Sequence, residues 1–215
     1  GAETGRRAEL VLVGYDAERI CVRDARARRA VHEGAAGAAE AVAGAGLVVL
    51  AQEAPAACAT LAEIAPHLAA GTVVCDTAGS KVEVVHAAEQ HLPAGVSFVG
   101  GHPIALPQQE VDWTAGPQGA RADLYAGGVF CLVPARHAST EAVDTVRGLA
   151  AALGATPFFL DPFEHDGLWA GVGQAPYLLA VALVATAGES QAWRDLKLLA
   201  DPTWRHLADL VSRAP

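Results

Sequence analysis

Short runs rich in Val and Leu at 10–15, 47–51, 72–75, 97–99, 129–133 and 157–160 alternate along the chain with Ala-rich stretches. A short apolar run followed by a helix-length segment is the unit of a crossover connection, so the alternation predicts an α/β fold with a parallel sheet. The helices fall at 18–31, 35–43, 56–69, 82–91 and 139–153, with Gly71 and Gly154 as their stops. After Asp161 the strand-like runs cease. Pro162 opens a long apolar helix to about residue 186, and shorter helices start at Ser190 and Pro202. The chain therefore divides into an α/β domain, 1–161, and a small all-helical domain, 162–215. Its helix 167–187 is apolar nearly all round and needs cover on every side. In so small a domain a second copy is the expected cover, which predicts a homodimer.

Charge narrows the function. With 24 acidic residues against 15 basic ones, the chain carries no clustered basic face for phosphates, which argues against nucleic acid. The basic stretch from Arg23 to Arg29 is interleaved with Ala and Asp24 and reads as a solvated helix face. No apolar run looks long enough to span a bilayer, so no membrane is expected. The four cysteines form no C-x-x-C pair and fit reduced thiols in the cytoplasm. The histidines show no metal-ligand spacing, so no metal is expected.

Five blocks carry chemistry: VVCDTAGSK (73–81), FVGGHPIA (98–105), ADLYAGGVFCLVP (122–134), LGATPFFLD (153–161) and HDGLWAGVGQAPYLLAVAL (165–183). In this order they resemble the prephenate and arogenate dehydrogenase family, whose motifs are D-x-x-S-x-K, G-x-H-P-x-A-G, D-L-F-x-G and H-D-x-x-x-A-x-x-S-H-L-P-H. The resemblance implies a Rossmann-like domain. It also implies that His102 is the catalytic histidine that takes the proton of the ring hydroxyl as hydride leaves, a task suited to an imidazole near neutral pH. Asp76 and Lys81 keep the family spacing, while Gly79 stands in the serine's place and Ser80 lies one residue along. His102, Asp76 and Ser80 are the expected catalytic residues.

The substrate side departs from the family. Gly173-Gln174-Ala175-Pro176-Tyr177 replaces S-H-L-P-H, and Leu198 stands where the family has the arginine that binds the ring carboxylate, with Lys197 beside it. An arginine fork is not equivalent to a lysine point charge. The expected substrate contacts are Lys81, Glu110, Trp169, Gln174, Tyr177 and Lys197, with Glu110 on a polar lid loop at 107–119. Trp204 reads as core filling.

The nucleotide half begins late. Residues 11–19 match the family's second strand, with Asp16 as the acid for the ribose, and only about ten residues precede it. Gly44-Ala45-Gly46 precedes a strand instead of following one, so it is not the phosphate turn. The resulting expectation is an incomplete Rossmann-like sheet without a cofactor. On it sits a cyclase, isomerase or lyase of bacterial specialised metabolism that transforms a small molecule through His102. The alternatives are an NAD(P)-dependent prephenate or arogenate dehydrogenase and a non-catalytic binding protein of the same fold.

Overall fold

A computed structural model describes residues 10–107 and 118–212. Two strands open it, β1 (Val13–Gly14) and β2 (Glu33–Gly34), paired in parallel and joined by helix α1 (Arg19–Ala27). Helix α2 (Ala38–Val42) then leads into a five-stranded sheet. Its strands are β3 (Leu47–Leu50), β4 (Val73–Asp76), β5 (Ser97–Ile104), β6 (Val129–Pro134) and β7 (Thr156–Phe159), side by side in that order. Helices α3 (Ala54–Ile64), α4 (Val82–His91) and α5 (Thr140–Ala152) connect them. The architecture is α/β with a sheet dominated by parallel pairing, as the alternation of runs requires.

One pairing corrects the all-parallel expectation. β6 runs antiparallel to β5, with His102 opposite Cys131 and Ile104 opposite Val129. Parallel neighbours need a crossover, and no helix packs back between these two strands among the described residues, so the chain returns directly. β2 was also not foreseen, because Glu33-Gly34 is too short and too polar to give a strand pattern.

The sheet is buried on both faces. Leu61, Ile64, Val74, Val84 and Phe98 pack on one side; Val99, Phe130, Leu132 and Val146 pack on the other. Full burial of each large side chain stabilises by roughly 1.5–3 kcal/mol. Gly101 sets how closely β5 approaches β4. A Cβ there would stand 2.5 Å from the Asp76 carbonyl oxygen and 2.7 Å from the Phe130 ring, so only glycine fits.

From Pro162 onward the described chain is helical. Asp161 caps α6 (Pro162–Trp169), its Oδ1 accepting the N–H groups of Phe163 and Glu164 at 2.8 and 2.9 Å. One π-helical turn, Ala170–Gln174, joins α6 to α7 (Ala175–Gly188), and this local unwinding admits Pro176 without ending the helix. Helices α8 (Trp193–Leu199) and α9 (Pro202–Ser212) follow, α9 packing on α7. The continuous helical run Pro162–Gly188 has 27 residues, and its most apolar 18-residue window has a mean hydropathy of 1.6. By length and composition alone it could cross a bilayer, which corrects the expectation that no apolar stretch is long enough. Leu178 and Leu179 on α7 are 63% and 71% exposed in the single chain.

Candidate active site at the carboxyl ends of the strands

β4 ends on Asp76, and β5 carries His102 beside it. Ligands of open parallel sheets bind at such strand ends. Asp76 is fully buried and forms an ion pair with Lys81, which is equally buried. The carboxylate also accepts the N–H of Ala78 and the N–H of Gly101, both at 3.0 Å, while Lys81 Nζ donates to the Gly101 carbonyl at 2.7 Å. Burial pushes the Asp76 carboxyl above its ordinary value, against the pull of Lys81 and the two backbone donors. This cluster clamps the β5 backbone immediately before His102. It corrects the expectation for Lys81, whose ammonium is spent inside the protein and not offered to a substrate. Asp76 likewise acts on the backbone ahead of His102.

His102 is 8% exposed. Its Nδ1 lies 2.9 Å from Nε2 of His165, itself buried, and His165 Nδ1 lies 2.8 Å from Oδ1 of Asp166. Asp166 also accepts the N–H of Lys81 at 2.7 Å and that of Val82 at 2.9 Å, so a carboxylate from α6 sits on the amino end of α4. Burial works to raise this carboxyl, but the Val82 N–H, His165 and the Lys81 N–H outweigh it and hold it below the usual range. A carboxylate only accepts, so the proton between it and His165 belongs to His165 Nδ1. With His165 uncharged, its Nε2 is an acceptor, His102 Nδ1–H the donor, and His102 Nε2 a bare lone pair. Burial, followed by the neighbouring His165 and Lys81, lowers the His102 pKa to about 4, with Asp166 opposing. The imidazole is neutral at physiological pH, with an open acceptor site but a weaker pull on a proton than an ordinary histidine.

Trp169 stands edge-on to His102, with ring centroids 4.6 Å apart and planes at 89°. The Ser80 hydroxyl donates to Asp166 Oδ2 at 3.4 Å. Gln174 is exposed and Tyr177 half-buried, on the π turn and on α7. Lys197 lies over the Trp193 ring, 5.4 Å from its centroid. Glu110 and most of the expected lid, residues 108–117, fall outside the described residues. The structure thus brings together His102, Asp76, Lys81, Ser80 and Trp169. Sequence reasoning missed His165 and Asp166 as partners of His102; their one signal was the H-D pair opening the last block.

A second cleft, of about 700 Å³, opens beyond the end of β1 and is lined by Tyr15, Asp16, Arg19, Arg23 and His32. Its carboxylate at a strand end suits the hydroxyls of a ribose. A larger cleft of about 760 Å³ lies at the amino ends of β4 and β5, around Val73 and Ser97, and holds none of these residues.

Fold and site define an α/β protein of Rossmann type with a buried histidine at the carboxyl end of its sheet. The chain belongs to the prephenate dehydrogenase family: residues 3–158 match the model of its nucleotide-binding domain, "Prephenate dehydrogenase, nucleotide-binding domain". It is 28% identical over 144 residues to the prephenate dehydrogenase of Bacillus subtilis, covering 66% of this chain and 38% of that protein. It is 33% identical over 153 residues to NovF of Streptomyces niveus, named "Probable prephenate dehydrogenase", covering 69% of this chain and 40% of the relative. Synechocystis arogenate dehydrogenase shares the fold with a TM-score of 0.74 at 24% identity, over 95% of this chain and 72% of that one. The chain spans about two fifths of the length of the curated relatives it matches.

These matches overturn the reading as a cofactor-independent, non-redox cyclase, isomerase or lyase. The relatives carry the names of dehydrogenases, which are oxidoreductases. That reading rested on the residues ahead of the first strand and on the departures at Gly79, Gln174 and Leu198, and the inferred loss of the glycine turn finds no support in the matches.

Proposed function

We propose that this chain provides the proton-handling site of an NAD(P)-dependent dehydrogenase acting on prephenate, arogenate or a close relative. The observation that carries the reading is the chain His102–His165–Asp166, which leaves His102 Nε2 as an acceptor at the strand ends. The substrate's ring hydroxyl would place its proton on Nε2 as hydride leaves the same carbon. The bound dinucleotide supplies the hydride acceptor, and Asp16 is the residue that would hold its ribose. Lys81, Asp76 and Gly101 fix the backbone from which His102 projects. Burial of the site excludes water from the imidazole and keeps it uncharged.

Gln174 and Tyr177 remain candidates for holding substrate from the helical side, with Glu110 and Lys197 as further candidates. Residues 1–161 would act as the nucleotide-binding unit and 162–215 as a helical unit. A second copy laid on Leu178, Leu179 and their neighbours would cover the helical run Pro162–Gly188.

The proposal is tested by supplying prephenate or arogenate with NAD⁺ or NADP⁺ and following the absorbance of reduced nicotinamide. Reduction that depends on both compounds is expected. Binding of substrate and dinucleotide without any reduction would count against it.

A further inference from the structure

Trp169 lies in a slot built by two glycines. A Cβ at Gly79 would stand 3.2 Å from its Nε1, and a Cβ at Gly173 would stand 2.6, 2.7 and 2.8 Å from three of its ring carbons. A side chain at 173 would therefore push the indole away, and one at 79 would press on its nitrogen. These are two of the positions where this chain has glycine and the family motifs have serine. The two departures share one structural consequence, because both make room for the same ring.

The placement of the indole nitrogen has a chemical meaning. Trp169 is half-buried, and its N–H has no hydrogen-bond partner among the described residues, whereas a buried indole N–H usually finds one. The point that a Gly79 Cβ would occupy lies 3.2 Å from this nitrogen and 4.0 Å from His102 Nε2. A donor that never titrates and an acceptor at neutral pH thus converge on one small space. The Cβ point lies a bond length from the Gly79 Cα, so both nitrogens face the space in front of this glycine; a hydroxyl oxygen lying between them, outside van der Waals contact with Gly79, would give its proton to Nε2 and receive the N–H on a lone pair.

We propose that Trp169 is a substrate-contacting specificity residue whose indole N–H hydrogen-bonds the oxygen that His102 deprotonates. The inference rests on the dehydrogenase reading. As the O–H proton moves to His102 Nε2 and the carbon loses hydride to the dinucleotide, the C–O bond gains carbonyl character. The indole keeps its own proton throughout and stabilises the charge gathering on that oxygen. A side chain at 173 would dislodge the donor, and one at 79 would press on it.

The test uses the whole chain and 3-(4-hydroxyphenyl)propionate, a phenol whose hydroxyl imitates the reacting one and which accompanies NAD⁺ in the Aquifex aeolicus prephenate dehydrogenase complex. Calorimetry gives its affinity for the wild type, Trp169→Phe and Gly173→Ala, and the indole ¹H–¹⁵N signal of Trp169 is followed in the wild type. We expect the wild-type signal to move on saturation and Trp169→Phe to bind about three- to tenfold more weakly, the worth of one neutral hydrogen bond. Gly173→Ala should weaken binding at least as much. If the phenol binds the wild type while its indole signal stays put and Trp169→Phe binds equally well, Trp169 is packing only and the inference falls alone. If the phenol fails to bind the wild type at all, the reading of the site falls and takes this inference with it.

Discussion

His102 Nδ1 stands 2.9 Å from His165 Nε2, and the two imidazoles, 63 residues apart in sequence, belong to different parts of the chain: one to the sheet, the other to the first helix beyond it. Asp166 closes the other end of this pair and also caps α4. The same three side chains therefore fix the tautomer of His102 and tie the helical segment to the sheet.

Replacing His102 by Ala should slow hydride transfer by about 10²- to 10⁴-fold, the usual contribution of a positioned proton acceptor. His102→Gln keeps hydrogen bonding but cannot take a proton near neutral pH, and it should fail to the same extent. The comparison is made by steady-state kinetics on variants with wild-type circular dichroism. Recovery in His102→Gln would assign the residue to polarisation instead.

Lys81→Met should destabilise the fold by about 3–5 kcal/mol, because it strands the Asp76 carboxylate in a dry interior. The double variant Lys81→Met, Asp76→Asn should regain part of that loss, since the two effects share one interaction. Urea unfolding followed by circular dichroism measures both. Additive losses would contradict the coupling of the pair.

Stability should depend on pH through His102. Its folded pKa is about 4 against an ordinary 6.5, so between those values the unfolded chain binds a proton there and the folded chain does not. Unfolding free energy attributable to this group is therefore constant above about pH 6.5 and falls as pH drops toward 4, with a slope of at most about 1.4 kcal/mol per unit. His102→Gln should flatten the profile across that window. An unchanged profile would show that His102 is not held neutral by the fold.

The run Pro162–Gly188 should form the contact between two copies. Light scattering at micromolar concentration is expected to give twice the 22.0 kDa of one chain, and Leu178→Glu with Leu179→Glu should return the monomer. A monomeric wild type would remove the dimer from the account.

Much of the fold was legible in the sequence. Helix 82–91 was bounded correctly, and Ser139 caps α5 where the pattern placed its start, accepting the Ala142 N–H. Positive φ at Gly71 and Gly154 fits the stops assigned to them. Local signals suffice for such features because each depends on a few neighbouring residues. The antiparallel β6 was not legible, since nothing in an apolar run tells its direction. Lys81 was misjudged for a related reason: spacing marked it as part of the site but could not say that its ammonium turns inward to Asp76. His165 and Asp166 were seen as a motif without a role, because the partner that gives them one lies on a distant strand. The inference of a cofactor-free enzyme failed on different ground, having leaned on what precedes the first strand and on the departures at Gly79, Gln174 and Leu198, none of which outweighs the dehydrogenase relatives.

The claim that His102 is a neutral acceptor with its proton on Nδ1 is tested most directly by ¹⁵N NMR of histidine-labelled protein across a pH titration. At pH 7 the His102 Nδ1 is expected to carry hydrogen and Nε2 to be bare, with Nε2 protonating only near pH 4. A protonated Nε2 at neutral pH, or a titration near the ordinary value of 6.5, would contradict it.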